Sequence, residues 1–191
     1  MTDNEIISSV LQGNPNNYRY LVEKYQQMVF RTCIGFVHNK DDADDLTQDT
    51  FIQAYQALKR FKGDSAFSTW LYRIAVNASL NKIRKSPLNN ILQRIENLTG
   101  RKNERETIVS VSTGEDPENM LIRQEQIDRV RHELDALPEN QRTAIILSKY
   151  DDLSQKEIAE IMNTTEGAVE ALLQRAKKNL RDKLSGKRKN N

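Results

Sequence analysis

Cysteine is all but missing from this chain. Cys33 is the single one, it falls in an apolar-periodic stretch, and with no second thiol neither a disulfide framework nor a cysteine-built zinc site can form. Histidine is almost as scarce: His38 and His132 lie far apart in sequence and in no metal-ligand or triad spacing, so solvated or capping roles are expected and no metal site is. Seven glycines and four prolines among 191 residues are too few for a turn-rich sheet protein. No apolar run approaches the length that spans a bilayer. Met1-Thr2-Asp3-Asn4-Glu5 lacks the basic start and apolar core of a signal peptide, so the expected place is the cytoplasm, without membrane insertion. Also lacking are a phosphate-binding glycine loop, a metal-binding histidine pair and a spaced nucleophile and base. An enzyme acting on nucleic acid is therefore disfavoured, and no catalytic residue, cofactor or small-molecule substrate is expected.

What is present is charge and helical periodicity. Hydrophobic residues make up 37% and charged residues 29% of the chain, a balance that suits solvated helices, and the fold class expected is all-α. The length permits two small domains. Ordered helix is expected after Gly13-Asn14-Pro15, with Asn14 as cap and Pro15 in the first helical position. From Tyr18 through Leu21, Val22, Tyr25, Met28, Val29, Cys33, Ile34 and Val37 apolar residues recur on one stripe. A polar break at residues 38–42 precedes a second helix with Leu46, Phe51, Ala54, Tyr55 and Leu58 inward. A third carries Trp70, Leu71, Ile74, Ala75 and Ala78 on its inner face and ends at Ser86-Pro87. Residues 1–86 thus form one domain. Between 87 and 117 the pattern fades into polar residues with the composition of a flexible linker. Residues 118–191 form the second domain: a helix after Asp116-Pro117 carries Leu121, Ile122, Ile127, Val130 and Leu134, and Leu137-Pro138-Glu139 marks a stop and a new start.

Ser154-Gln155-Lys156-Glu157 has the Ser-x-x-Glu form of a capping box. The helix it opens is followed by Asn163-Thr164-Thr165, a tight polar turn in which Thr165 can cap a second helix with Val169, Leu172, Leu173, Ala176 and Leu180 inward. This is a helix-turn-helix pattern, whose second helix enters a DNA major groove. An ordinary helical hairpin would share the spacing; the charge favours DNA. From Arg175 to Lys189 eight bases face one acid, Asp182, a density suited to phosphate contact, although Lys187 to Lys189 also suit a solvated tail.

The first domain segregates charge. Residues 41–49 hold five acids and no base, whereas residues 59–85 hold seven bases against Asp64 alone. The acids could hold Mg²⁺ in principle, but a solvated or protein-binding acidic helix is the commoner case. Aromatics interleave with the bases at Phe61, Phe67, Trp70 and Tyr72, as a single-stranded nucleic-acid surface requires, though the spacing of Phe67 and Trp70 favours core. The acidic helix would repel DNA and should face a basic protein surface.

The run Asp44-Asp45-Leu46-Thr47-Gln48-Asp49-Thr50-Phe51, followed by Phe61-Lys62-Gly63-Asp64-Ser65-Ala66-Phe67-Ser68-Thr69-Trp70-Leu71-Tyr72-Arg73-Ile74-Ala75-Val76-Asn77, closely resembles the second conserved region of extracytoplasmic-function (ECF) sigma factors. Leu137-Pro138-Glu139, Leu153-Ser154-Gln155-Lys156-Glu157-Ile158-Ala159 and Arg175-Ala176-Lys177 resemble the fourth. The likeness runs from about residue 15 to residue 184, in the family's order. It implies a factor that carries core RNA polymerase to promoters.

By position, Asp44, Asp45, Gln48, Asp49 and Phe51 would meet the beta-prime clamp of the polymerase, with the beta flap as a further contact of the core enzyme. Ala57, Phe61, Ile74 and Asn77 match the pocket that holds a base flipped from the minus-ten element, with Lys62, Trp70, Arg73, Lys82 and Arg84 along the strand. Ser154, Thr165, Glu166, Glu170, Gln174, Arg175, Lys177 and Lys178 would face the minus-thirty-five element. The resemblance also implies an anti-sigma partner. One departure stands out: Glu170-Ala171-Leu172 replaces a more basic run in the middle of the recognition helix, so the promoter sequence is not inherited. The rival reading is a self-sufficient helix-turn-helix regulator, which would bind duplex DNA without polymerase.

Overall fold

The computed structural model describes residues 1–85 and 117–185. The expected linker, apart from Pro117, and the basic residues 187–189 lie outside them. Among the described residues the regular structure is helical throughout, in agreement with the all-α expectation.

The first helix, α1 (Asp3–Leu11), was not foreseen. Thr2 and Glu5 form a reciprocal capping box, with Glu5 N donating to Thr2 Oγ1 at 3.3 Å and Thr2 N to Glu5 Oε2 at 2.8 Å. Ile6, Ile7 and Val10 then point into the core. The helix start expected at Asn14-Pro15 is instead a single 3-10 turn, Pro15–Asn17, in which Asn14 makes no side-chain cap. Helix α2 runs Tyr18–Val37 and stops where His38 takes a left-handed conformation, φ 55°. Asn39 then caps α3 (Lys40–Ala57), its side chain accepting from Asp42 N at 2.9 Å. The expected break at 38–42 is therefore two residues long; Asp41 and Asp42 belong to the first turn of α3, where carboxylates oppose the positive end of the helix dipole. Helix α4 (Phe67–Lys85) follows a 3-10 turn at Leu58–Arg60.

Helices α2, α3 and α4 enclose a core of Leu21, Val29, Cys33, Leu46, Phe51, Ala54, Leu58, Phe67, Leu71 and Ala75. Cys33 is a core residue as expected, and burial pushes its thiol up to about 11. Tyr55 departs from its expected inward position: 44% exposed, it lies edge-on to Tyr18.

The second half comprises α5 (Pro117–Asp135), α6 (Glu139–Tyr150), α7 (Gln155–Met162) and α8 (Glu166–Leu184). On α5 the expected apolar series is only partly inward, with Leu134 buried but Ile122 and Val130 about half exposed. The interior is built from Leu134, Leu137, Ile146, Leu147, Ile158, Val169, Leu173 and Ala176. Buried Arg142 donates to the carbonyl of Asp135 and so braces the α5–α6 corner.

The two halves pack together, α2 against α6 and α4 against α7. Phe36, Tyr72 and Val76, all from the first half, belong to the apolar cluster of the second. Nothing in the sequence announced that pairing.

Candidate polymerase and nucleic-acid interfaces

The helix-turn-helix forms as the sequence predicts. Ser154 Oγ accepts from Glu157 N at 3.3 Å, and the Glu157 carboxylate accepts from Ser154 Oγ at 2.6 Å and from Ser154 N at 2.9 Å; the hydroxyl bond first and the amide bond second hold the Glu157 carboxyl below its ordinary range. Asn163, φ 51°, reverses the chain, and Thr165 Oγ1 accepts from Ala168 N at 3.2 Å to start α8. Buried Ile158, Ala159 and Ile161 on α7 share one cluster with Val169, Leu173 and Ala176 on α8. Two of these contact residues, Ala159 and Ala176, are small. Its outer face exposes Glu166, Glu170, Gln174, Arg175, Lys177 and Lys178, with Ser154 and Thr165 exposed at the starts of the two helices.

Charge along α8 is polarised. Glu166 and Glu170 occupy the first half, and Gln174 Nε2 donates to Glu170 Oε1 at 3.2 Å, which orients that carboxylate across the surface. Arg175, Lys177, Lys178, Arg181 and Lys183 occupy the second half, Lys183 lying 3.4 Å from Glu133. The basic half suits phosphate; the acidic half complements the helix dipole and can accept from a base amino group.

On α3 the residues expected to meet a protein partner separate into two faces. Asp44, Asp45, Gln48 and Asp49 are exposed. Phe51 is mostly buried, 6% exposed, and reaches the surface only as part of a groove wall, while its backbone carbonyl accepts from Tyr18 Oη at 2.8 Å. The reason is the helical period, which turns Phe51 inward with Leu46, Thr50 and Ala54. Sequence reasoning passed over Ile52, 54% exposed and one heptad on from Asp45. Beside it a groove of about 760 Å³ is lined by Pro15, Tyr18, Val22, Phe51, Ile52 and Tyr55. A large exposed apolar residue next to acids was the available signal, and the stripe of acids hid it.

The basic helix α4 is less free than its composition suggests. Lys82 lies 2.8 Å from Asp42, whose carboxylate raises the lysine's pKa. Arg84 grips Glu139 with bonds of 2.7 and 2.5 Å, and Arg73 Nη2 donates to the carbonyl of Glu160 at 2.6 Å. The rings of Phe61, Phe67 and Trp70 meet edge-on or tilted with centroids 5.3 to 5.6 Å apart, and Tyr25 completes the group against Phe67. Phe67 is core, while Phe61 and Trp70 are half-buried at its rim with Ile74. Asn77 and Lys62 are exposed, and Ala57 is half-buried at the end of α3. The structure thus brings Phe61, Trp70 and Ile74 together at one core margin.

A helical bundle with an acidic outer helix, tied to a helix-turn-helix whose second helix is basic in its C-terminal half, defines the architecture of a DNA-binding protein. Comparison with known proteins places it further. Residues 21–87 match the family model for Sigma-70 region 2, and residues 127–180 that for Sigma-70 region 4. The chain is 34% identical over 180 residues to the RNA polymerase sigma-H factor of Pseudomonas aeruginosa, covering 92% of this chain and 90% of that one. It is equally 34% identical over 189 residues to the ECF RNA polymerase sigma-E factor of Escherichia coli K12, covering 96% and 95%. Among solved structures, CnrH in complex with the cytosolic domain of CnrY superimposes with a TM-score of 0.63 at 23% identity, over 96% of this chain and 97% of that one. The sigma factor RpoE in complex with the anti-sigma factor NepR from Bartonella quintana gives 0.59 at 22% identity, over 90% and 99%.

The chain belongs to the ECF family of RNA polymerase sigma factors. It binds core RNA polymerase and directs promoter-specific initiation of transcription, a role that is not enzymatic in this family. Among the described residues no helix is long and apolar enough to cross a membrane.

Proposed function

We propose that the work of initiation is divided between three surfaces of this chain. Asp44, Asp45, Gln48 and Asp49 on α3 dock the beta-prime clamp, with Ile52 and the groove beside it as the apolar centre that a stable protein contact needs. Ala57, Phe61, Ile74 and Asn77 take the flipped base of the minus-ten element, and Lys62, Trp70, Arg73, Lys82 and Arg84 hold its strand. Exposed α8, from Glu166 to Lys178, reads the minus-thirty-five element, with specificity in its first half and phosphate affinity in its second.

The observation that carries this division is the separation of sign. The exposed acids of α3 and the exposed bases of α8 occupy different halves of the molecule, so a basic protein and a polyanion can be bound at once. The beta flap as a contact of the second half, and a cytoplasmic anti-sigma partner that covers both halves, are carried over from the family. In favour of such a partner stand the two solved relatives that were captured with CnrY and NepR.

Runoff transcription tests the division. Core polymerase with this chain is expected to initiate specifically at the DNA upstream of its own gene. Asp45→Ala should reduce core binding, whereas Asn77→Ala should leave core binding intact and reduce open-complex formation. Specific binding of duplex DNA without polymerase, together with no stimulated initiation, would replace this reading with that of a self-sufficient regulator.

A further inference from the structure

The contact between the two halves has an unusual composition. At its centre Gly35 on α2 lets α6 approach so closely that a Cβ there would sit 2.8 Å from Ile146 Cγ2 and 3.3 Å from the ring of Tyr150. Ile146 is fully buried and has no room to yield. One turn away, at the end of α6, the Asp151 side chain has no exposure to solvent, and it faces Thr32 and Arg31 on α2. Around the apolar patch run three polar contacts: Arg73 to the Glu160 carbonyl, Arg84 to Glu139, and His38 Nε2 to Asp135 Oδ1 at 3.1 Å.

Apolar burial and polar rim favour closure, and Asp151 opposes it. Thr32 Oγ1 lies 2.8 Å from Asp151 Oδ2 and 3.1 Å from the carbonyl oxygen of Met28, yet a hydroxyl has one hydrogen to give. An ionised Asp151 has no proton, so only one of these two bonds can form at a time. Its other oxygen, Oδ1, accepts no hydrogen bond among the described residues, and Arg31 Nε stands 3.8 Å from it on a side chain that is mostly in solvent. Asp152 adds a like charge next door, while Tyr72 from α4 and Cys33 from α2 sense the carboxylate without neutralising it. Burial is accordingly the main reason that the Asp151 carboxyl is pushed up to about 6. Protonated, the acid could donate to Thr32 Oγ1 while Thr32 donates to Met28, and both bonds would exist together.

We propose that Asp151 is a built-in weakness in the closed pairing of the two halves: its buried charge keeps them loosely latched at neutral pH, so that a partner claiming Arg73 and Arg84 opens the molecule. The effect on DNA rests on the assignment of α4 to the minus-ten strand; the latch itself does not. Closure is favoured by protonation. A carboxyl whose pKa is higher closed than open stabilises the closed form fully below the open-state value, near the ordinary 3.8, and that support is lost as the pH rises through about 6. Across that window the closing equilibrium should change roughly tenfold to a hundredfold.

The test measures the distance between labels on the two halves of the full chain, attached through Glu23→Cys and Gln155→Cys, both exposed, with Cys33 left in the core. The unmodified interface should shift toward the short distance as the pH falls from 7 to 4.5. Asp151→Asn keeps an oxygen to accept from Thr32, gains an amide to donate, and carries no charge. It should be closed at pH 7 and insensitive to pH, which tests the latch without acid. Gly35→Ala should be open at every pH while its helix content is undiminished, since alanine favours a helix interior over glycine. Asp151→Asn opening the molecule, or leaving the distance at pH 7 unchanged, would overturn the proposal. Because neither polymerase nor DNA is in the sample, that failure would say nothing against the sigma-factor reading, and loss of promoter activity would say nothing against the latch.

Discussion

The two halves of this chain close their cores differently. The first is self-contained: each member of its apolar cluster comes from α1 to α4 or the turns that join them. The second takes Phe36, Tyr72 and Val76 from its neighbour, and Phe36, 1% exposed, is one of the largest fully buried side chains in the molecule. A helical unit of this size excludes little apolar surface from water by itself, and borrowed side chains extend what it buries. The difference teaches that domain boundaries drawn in sequence need not be boundaries of packing.

Truncating one residue of each kind separates the cores, with the largest effects expected here. Phe36→Ala should cost about 3–5 kcal/mol, and Leu71→Ala, fully buried in the first core, about 2–5 kcal/mol. Both can be measured by denaturant unfolding. What distinguishes them is where protection against amide exchange is lost: in α6 to α8 for Phe36→Ala, although the mutation lies on α2, and in α2 to α4 for Leu71→Ala. The same pattern for both variants would mean one fused core and end the comparison.

Much of each half was legible in sequence, for a physical reason. Helical period places Leu21, Val29, Cys33, Ile158 and Val169 inward, and caps at Ser154 and Thr165 bound the helix-turn-helix, because these are local rules. Where local rules compete, the reading slipped. Thr2-x-x-Glu5 was a readable capping box, but the weight given to Asn14-Pro15 displaced the start of order past it. Phe51 was assigned to a partner by motif although its period turns it inward, and Tyr55 was assigned inward although it lies 44% exposed at the groove. The pairing of the halves was beyond reach: Gly35 meets Ile146 and Thr32 meets Asp151 across more than a hundred positions of sequence, and no local signal links such residues. The same holds for the bases of α4. Composition counts Arg73, Lys82 and Arg84 as free for DNA, but three-dimensional neighbours give each a partner inside the fold.

A smaller effect sharpens the comparison at the helix starts. Among the described residues each half carries a capping box, Thr2 with Glu5 and Ser154 with Glu157, with similar backbone-to-side-chain bonds in both. Replacing either hydroxyl by alanine removes an acceptor for one orphan amide, an effect of about 1 kcal/mol. The two losses should nonetheless be felt differently. Helix α1 adds Ile6, Ile7 and Val10 at the margin of a core that α2, α3 and α4 largely build, so Thr2→Ala should fray α1 locally and shift the thermal midpoint little. Helix α7 is only eight residues long, and its buried Ile158, Ala159 and Ile161 hold both the reading helix α8 and the facing helix α4. Ser154→Ala should therefore lower amide protection in α8 as well as in α7, a readout that the place of Ser154 beside the expected minus-thirty-five face does not itself move. Equal and purely local fraying in the two variants would show that α7 is held by its packing alone, and that the second half stands more firmly by itself than its borrowed core implies.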